Sequence, residues 1–166
     1  VRDFSVADNI VLEVHSKPPF AKGFKKLFLN ASKVSNYAEE LIRAYDIKTP
    51  SKDTPVKHLS GGNLQRLILA RELSRNPKLI VAAQPTGGLD VGATEYVRLK
   101  LVEQRGMGVA VLLISEDLEE IMSLSDRVAV MYEGEIVGMI PAVKAEVEEI
   151  GLMMAGAKRM PSIKVD

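Results

Sequence analysis

Pro77-Lys78-Leu79-Ile80-Val81-Ala82-Ala83-Gln84-Pro85-Thr86-Gly87-Gly88-Leu89-Asp90 passes from a proline break through an unbroken apolar run into a turn rich in proline and glycine. A short continuous apolar run predicts a strand buried on both sides, rather than one alternating between core and water. The turn then falls at the carboxyl end of a strand, where ligands of open α/β sheets collect. On its own the stretch fits a core strand and an ordinary Gly-Gly turn equally well.

Outward from it, strand and helix alternate. Downstream, a helix is expected over 92–104 with Ala93, Tyr96, Val97 and Leu101 inward, then a second buried strand over 109–114 and a short helix over 117–124. Two strands over 127–132 and 135–140 flank Glu133-Gly134, a last helix covers about 145–155, and a frayed tail starts at Lys158. Upstream lies a helix over 62–74. Before that, from Val1 to about Pro50, the pattern is helical with loops. Ser5 and Asp8 are spaced as a capping box, and Lys17-Pro18-Pro19 is a breaker. Val34, Tyr37, Ala38, Leu41, Ile42 and Tyr45 recur at helical steps, and Thr49-Pro50 ends that helix. The connector over 49–57 is the expected lobe boundary. Apolar strands alternating with amphipathic helices predict an α/β fold, its sheet parallel at the core and covered on both faces.

Composition narrows the function. Lys+Arg 22 balances Asp+Glu 22, so no whole-chain field favours nucleic acid or an anionic membrane surface. The absence of cysteine excludes disulfides, thiolate metal sites and cysteine nucleophiles. His15 and His58 are far apart, which argues against a histidine-rich metal site. The most apolar run, 108–114, falls well short of the roughly 20 residues that cross a bilayer.

A second stretch carries chemistry. Leu59-Ser60-Gly61-Gly62-Asn63 precedes the helix Leu64-Gln65-Arg66-Leu67-Ile68-Leu69-Ala70-Arg71-Glu72-Leu73. A Ser-Gly-Gly turn at a helix start bares several N–H groups and one hydroxyl beside the positive end of the dipole, an arrangement suited to phosphate. Equally, Ser60 could serve only as a cap and the glycines only as a turn.

In this order and spacing the two stretches resemble the ABC transporter ATPase family. Leu59 to Asn63 stands for the LSGGQ signature, Ala83-Gln84-Pro85-Thr86 for the Walker B Asp-Glu-Pro-Thr, and Gly88-Leu89-Asp90 for the D-loop. Leu112-Leu113-Ile114-Ser115-Glu116-Asp117 occupies the switch-histidine segment, and Asp126-Arg127-Val128-Ala129-Val130-Met131 through Gly134 is similar to the family's Asp-Arg-Ile strand and turn. Asn63 and the run Ala83-Gln84-Pro85-Thr86 through Val91-Gly92-Ala93 look most like the second ATPase domain of simple-sugar and nucleoside importers. The resemblance implies a partial RecA-like P-loop ATPase core with a mostly parallel sheet, plus a small helical subdomain. It would divide the chain into a helical subdomain and connector (1–58), the signature helix and C-terminal core (59–156), and a flexible tail (157–166).

Three departures bear on mechanism. No G-x-x-x-x-G-K-[ST] loop occurs to cradle phosphates. Val1 stands first instead of Met, and the opening looks like the stretch just past the Q-loop, so a fragment of a longer subunit is expected. Ala83 and Gln84 replace the carboxylates that orient the Mg²⁺ shell and the attacking water, and Glu116 replaces the histidine that contacts the γ-phosphate. No intact catalytic residue is therefore expected, and no metal ligand. In the family the signature completes a partner's site across a dimer, a role for which Ser60, Gly61, Gly62 and Asn63 are whole.

The resemblance thus implies ATP and Mg in the full-length dimer, with none expected bound to this chain alone. It implies a second ATPase domain and membrane permease subunits as partners, a peripheral place on the cytoplasmic face of the membrane, and no nucleic acid. An open sheet edge where the P-loop strand would lie makes self-association of the fragment a further expectation. The competing reading is a non-catalytic ABC-like interaction or regulatory module not coupled to transport. A soluble ABC protein of translation or DNA maintenance fits less well, given the neutral charge and the lack of a long heptad run.

Overall fold

Ser5 caps the first helix, α1 (Val6–Val11), as its spacing to Asp8 predicts: Ser5 Oγ accepts from the Asp8 N–H at 3.0 Å, and the Asp8 carboxylate accepts from the Ser5 N–H at 3.3 Å. In the computed structural model, which describes residues 1–22 and 28–160, the next elements are two very short antiparallel strands, β1 (Ala21–Lys22) and β2 (Phe28–Leu29). They depart from the helix-and-loop expectation for this region, because two-residue strands carry no readable period. Helix α2 (Ala31–Ala44) follows, capped by Asn30, whose side chain accepts from the Lys33 N–H. Val34, Ala38 and Leu41 of its apolar stripe are buried, with Tyr37, Ile42 and Tyr45 packed beside them.

The chain divides into two units, Val1–Ile80 with Pro85–Ala110, and Val81–Gln84 with Val111–Asp166. In the first, one core gathers Val6, Ile10, Ala38, Leu41, Ile47, Val56, Leu67 and Ala70, from both sides of the 49–57 connector. Each fully buried valine, leucine or isoleucine side chain among them contributes about 1.5–3 kcal/mol. Asn9 is buried among them and is satisfied by its Nδ2 donating to the Phe4 and Ser5 carbonyls at 3.3 and 2.9 Å. Helices α3 (Gly61–Leu73) and α4 (Val91–Gly106) complete the unit, and Ala93, Val97 and Leu101 of α4 are buried as its period predicts. Tyr96, expected inward with them, is half-buried.

Strands β3 (Leu79–Ala83) and β4 (Ala110–Ile114) pair with each other. The Ala110 N–H donates to the Lys78 carbonyl at 3.1 Å and the Gln84 N–H to the Ile114 carbonyl at 2.8 Å, so the two strands run parallel. The expectation of cover on both faces is corrected here. Val81, Leu112 and Ile114 share one face with Ala83 and remain 59%, 53% and 49% exposed. An apolar run records what a strand can bury, whereas cover requires an element to lie on it.

In the second unit, helix α5 (Leu118–Leu124) precedes the hairpin of β5 (Arg127–Tyr132) and β6 (Glu135–Pro141). Glu133 and Gly134 both have positive φ, +48° and +83°, the type I′ geometry that matches the twist of a two-residue hairpin. Helix α6 (Val147–Met154) places Ile150 and Met153 in a core with Val128, Val130, Val137 and Ile140. Of the tail, Met160 packs against this core and its N–H donates to the Val137 carbonyl at 2.8 Å. Positions 161–166 lie outside the described residues.

Candidate functional site

The chain exit from α2 builds one wall of the site. Tyr45 closes the helix, Asp46 turns the backbone through φ +50°, and Ile47 sinks into the core with its N–H on the Ile42 carbonyl at 2.9 Å. That anchoring fixes the next N–H, of Lys48, which donates to Asn63 Oδ1 at 2.7 Å.

Ser60 is the N-cap of α3. Its Oγ accepts from the Asn63 N–H at 3.4 Å and from Asn63 Nδ2 at 2.9 Å, while its carbonyl accepts from the Leu64 N–H at 2.8 Å. The first turn of any helix has N–H groups without intrahelical acceptors, and here the two foremost belong to Gly61 and Gly62. Ser60 and Gly61 are exposed; Gly62 and Asn63 are half-buried. A hydroxyl and two unspent N–H groups on the positive end of a 13-residue helix can hold an anion.

The candidate residues of the 88–90 turn are brought to this helix end. Gly88 takes φ +72°, the Leu89 N–H closes onto the Thr86 carbonyl at 3.1 Å, and Asp90 caps α4 by accepting from the Ala93 N–H at 2.9 Å. A Cβ on Gly62 would stand 3.0 Å from Ala93 Cβ and 3.8 Å from Asp90 Oδ2, and one on Gly61 would stand 3.8 Å from Leu89 Cδ2. Gly62 is therefore a close-approach glycine as well as a turn residue. Gln65 adds a tie, its Nε2 donating to the Pro85 carbonyl at 2.9 Å.

Sequence reasoning put Tyr45 and Tyr96 on inward helix faces and gave Arg66 no part in the site, yet the three form the support behind this turn. Arg66 lies over the Tyr96 ring and donates to the Tyr45 carbonyl at 3.3 Å and to Asp46 Oδ2 at 3.4 Å; the Tyr96 hydroxyl donates to the same carbonyl at 3.0 Å. Burial raises the pKa of both phenols, which keeps the Tyr96 hydroxyl a neutral donor, and the Lys48 ammonium bonded to Asp46 lowers that carboxyl's pKa. The available signal was the Gln65-Arg66 pair in the helix that the Ser-Gly-Gly turn opens.

The remaining candidates, Ala83, Gln84 and Glu116, lie in the second unit. Ala83 ends β3 and Gln84 follows it; both are exposed, with Gln84 at φ +47°, uncommon for a residue with a Cβ. Glu116 is exposed two residues beyond Ile114, which accepts the Gln84 N–H. Asp117 is committed to capping α5, accepting from the Glu119 and Glu120 N–H groups at 3.0 and 3.2 Å. A methyl and an amide at the strand end supply no anionic oxygen for a divalent cation, so this strand end does not fit a carboxylate-held Mg²⁺.

No family model matches the chain. Over 167 residues, 100% of its length, it is 46% identical to the Guanosine import ATP-binding protein NupO of Bacillus subtilis (strain 168). Over 156 residues, 93% of its length, it is 45% identical to the Glucose import ATP-binding protein TsgD13 of Haloferax volcanii. It spans only 32% and 28% of those two proteins. Its fold matches that of the ATP-binding cassette MJ0796, solved as a dimer in a post-hydrolysis state with ADP and Pi, with TM-score 0.68 and 22% identity over 86% of this chain and 58% of that one. No described helix is long and apolar enough to cross a membrane.

Proposed function

Because this chain belongs to the ATP-binding subunits of ABC transporters, we propose that it is part of such a subunit in an importer of nucleosides or simple sugars, and that it lends a signature motif to its partner's ATP site. What supports the reading is that the same chain carries a Ser-Gly-Gly helix start whose hydroxyl and N–H groups suit an anion and a strand end without carboxylates. Ser60 and Gly61 are exposed at the start of α3, with Gly62 half-buried behind them, whereas β3 ends on the methyl of Ala83 and is followed by the neutral amide of Gln84.

ATP and Mg²⁺ would supply the hydrolysed phosphoanhydride and its charge neutralisation in the assembled dimer. Ser60, Gly61 and Gly62 would bind the phosphate held by the partner, and Gly88, Leu89 and Asp90 would hold the facing turn in place. On this chain's own side, a neutral Gln84 cannot take a proton from water, and loss of a general base alone costs about 10²- to 10⁴-fold. Glu116, an anion near the γ-phosphate, would add repulsion. The share of the relatives' length covered supports a piece of a longer subunit, and the absence of a phosphate loop supports weak nucleotide binding by the piece alone. On the family resemblance, the helical subdomain of the first 58 residues would face a membrane permease from the cytoplasmic side.

The test is made in the complete subunit. Ser60→Arg should abolish ATP turnover, while Ala83→Asp with Gln84→Glu should change it little. Near-normal turnover in Ser60→Arg would defeat the reading. So would tight Mg-ATP binding by the 166-residue chain alone in a calorimetric titration.

A further inference from the structure

We propose that Asn63 is a positioning residue that sets the direction of the Ser60 hydroxyl proton, turning it outward to be donated to a phosphate oxygen. The proposal rests on the trans-site reading above and gives Asn63 a role other than contact with nucleotide. A backbone N–H can only donate, so the Asn63 atom that meets the Lys48 N–H at 2.7 Å must be the carbonyl oxygen. That fixes the amide's orientation and leaves its nitrogen, Nδ2, facing Ser60 Oγ at 2.9 Å.

Ser60 Oγ has two acceptor positions and one proton. The Asn63 backbone N–H takes one position at 3.4 Å and Nδ2 takes the other. With both acceptor positions used, the hydroxyl can act only as a donor to a further partner, and the exposed side of Ser60 is where an anion could accept that proton. The polarity is set from behind. The Lys48 N–H is held by the Asp46 turn and by buried Ile47, so the relay from Lys48 through Asn63 to Ser60 is fixed before any ligand arrives. A donor already aimed at a developing or bound oxyanion needs no reorganisation when the ligand binds.

Asn63→Asp inverts the polarity without removing the anchor. One carboxylate oxygen still accepts from Lys48, while the other takes the Ser60 proton inward. In the complete subunit, affinity for a non-hydrolysable Mg-ATP analogue and the turnover rate are measured for Ser60→Ala, Asn63→Ala, Asn63→Asp and each Asn63 change combined with Ser60→Ala. A hydrogen bond to a charged group is worth about 1.5–3 kcal/mol, so Ser60→Ala should weaken analogue binding by about 10-fold or more. Asn63→Asp should weaken it at least as much, and Asn63→Ala less. Neither Asn63 change should have a further effect once Ser60 is alanine. If Ser60→Ala alone leaves binding and turnover intact, the trans-site reading fails. If Ser60→Ala is costly but the Asn63 changes cost as much again on top of it, Asn63 acts by its own contact or charge and this proposal fails. Thermal melts accompany each variant, and Asn63→Asp, which keeps the Lys48 acceptor, carries the test should Asn63→Ala fold poorly.

Discussion

The guanidinium carbon of Arg66 sits 3.7 Å from the centre of the Tyr96 ring, and both side chains converge on one atom, the Tyr45 carbonyl oxygen. A helix C-terminus leaves its last carbonyls without intrahelical donors, and this one receives two from α3 and α4 instead. The exit of α2, the helix that follows Ser60 and the helix that follows Asp90 are thereby held together behind the Ser60-Gly61-Gly62 turn.

Tyr96→Phe keeps the ring under Arg66 and removes only the hydroxyl's bond. The expected loss is about 1 kcal/mol by urea unfolding at neutral pH. The pH dependence has a defined sign. Burial raises the pKa of Tyr96 above its ordinary 10.0, so its contribution is fully present below about pH 10 and is lost as pH rises through the folded-state value. Stability measured from neutral to alkaline pH should therefore fall less steeply in Tyr96→Phe than in the parent. An unchanged alkaline slope would place the phenol outside this linkage.

Gly62→Ala puts a methyl on α3 3.0 Å from Ala93 Cβ on α4. Overpacking of this kind costs about 1–3 kcal/mol, and the gain in helix propensity offsets part of it, so a net loss of about 1 kcal/mol is expected. Ala93→Gly should relieve the contact. In a double-mutant cycle by chemical denaturation, the pair should be more stable than the sum of the singles by about 1 kcal/mol. Additive effects would mean that the helices do not meet at this point.

The sequence carried most of the elements and little of this joint. Leu79 to Ala83 and Ala110 to Ile114 were legible as strands because unbroken apolar runs have few other uses, and α2 because Val34, Ala38 and Leu41 recur on one face. Ser60 could be placed at a helix start by cap chemistry, whereas Asp90 was read only as part of the 88–90 turn and its capping of α4 is a structural finding. The bond from Lys48 to Asn63 could not be read, since it joins residues 15 apart through a turn that depends on Asp46 adopting positive φ. Tyr96 was read as an inward apolar residue, although its hydroxyl and its ring face each have a polar partner. The open face of β3 and β4 was misread for a different reason: hydrophobicity states a demand for cover and leaves open whether the chain supplies it.

Glu133 occupies the first central position of the β5–β6 turn at φ +48°, where most residues with a Cβ are strained by about 1–2 kcal/mol. Asn tolerates that geometry, and Asn-Gly is the favoured pair in type I′ turns. Glu133→Asn should raise stability by about 0.5–1 kcal/mol, read as an upward shift of the thermal midpoint. Gly134→Ala, at φ +83°, should lower it. A lower midpoint in Glu133→Asn would mean that the glutamate side chain contributes something beyond the turn.

Helix α6 ends in a Schellman motif: the Ala157 N–H donates to the Leu152 carbonyl at 2.9 Å and the Gly156 N–H to the Met153 carbonyl at 3.0 Å, with Gly156 at φ +72°. Two independent effects oppose a side chain at Gly156. The backbone angle alone costs about 1–2 kcal/mol, and an added Cβ would lie 2.6 Å from Tyr132 Cε1 and Cζ, well inside contact distance. Gly156→Ala should thus be more damaging than either effect by itself, with a loss of about 2–4 kcal/mol by denaturant unfolding. Tyr132→Ala removes the steric effect and leaves the angular one. Measured in the Tyr132→Ala background, Gly156→Ala should cost only about 1–2 kcal/mol. If the cost is the same in both backgrounds, the ring is not what excludes the methyl, and the requirement for glycine is one of backbone geometry alone.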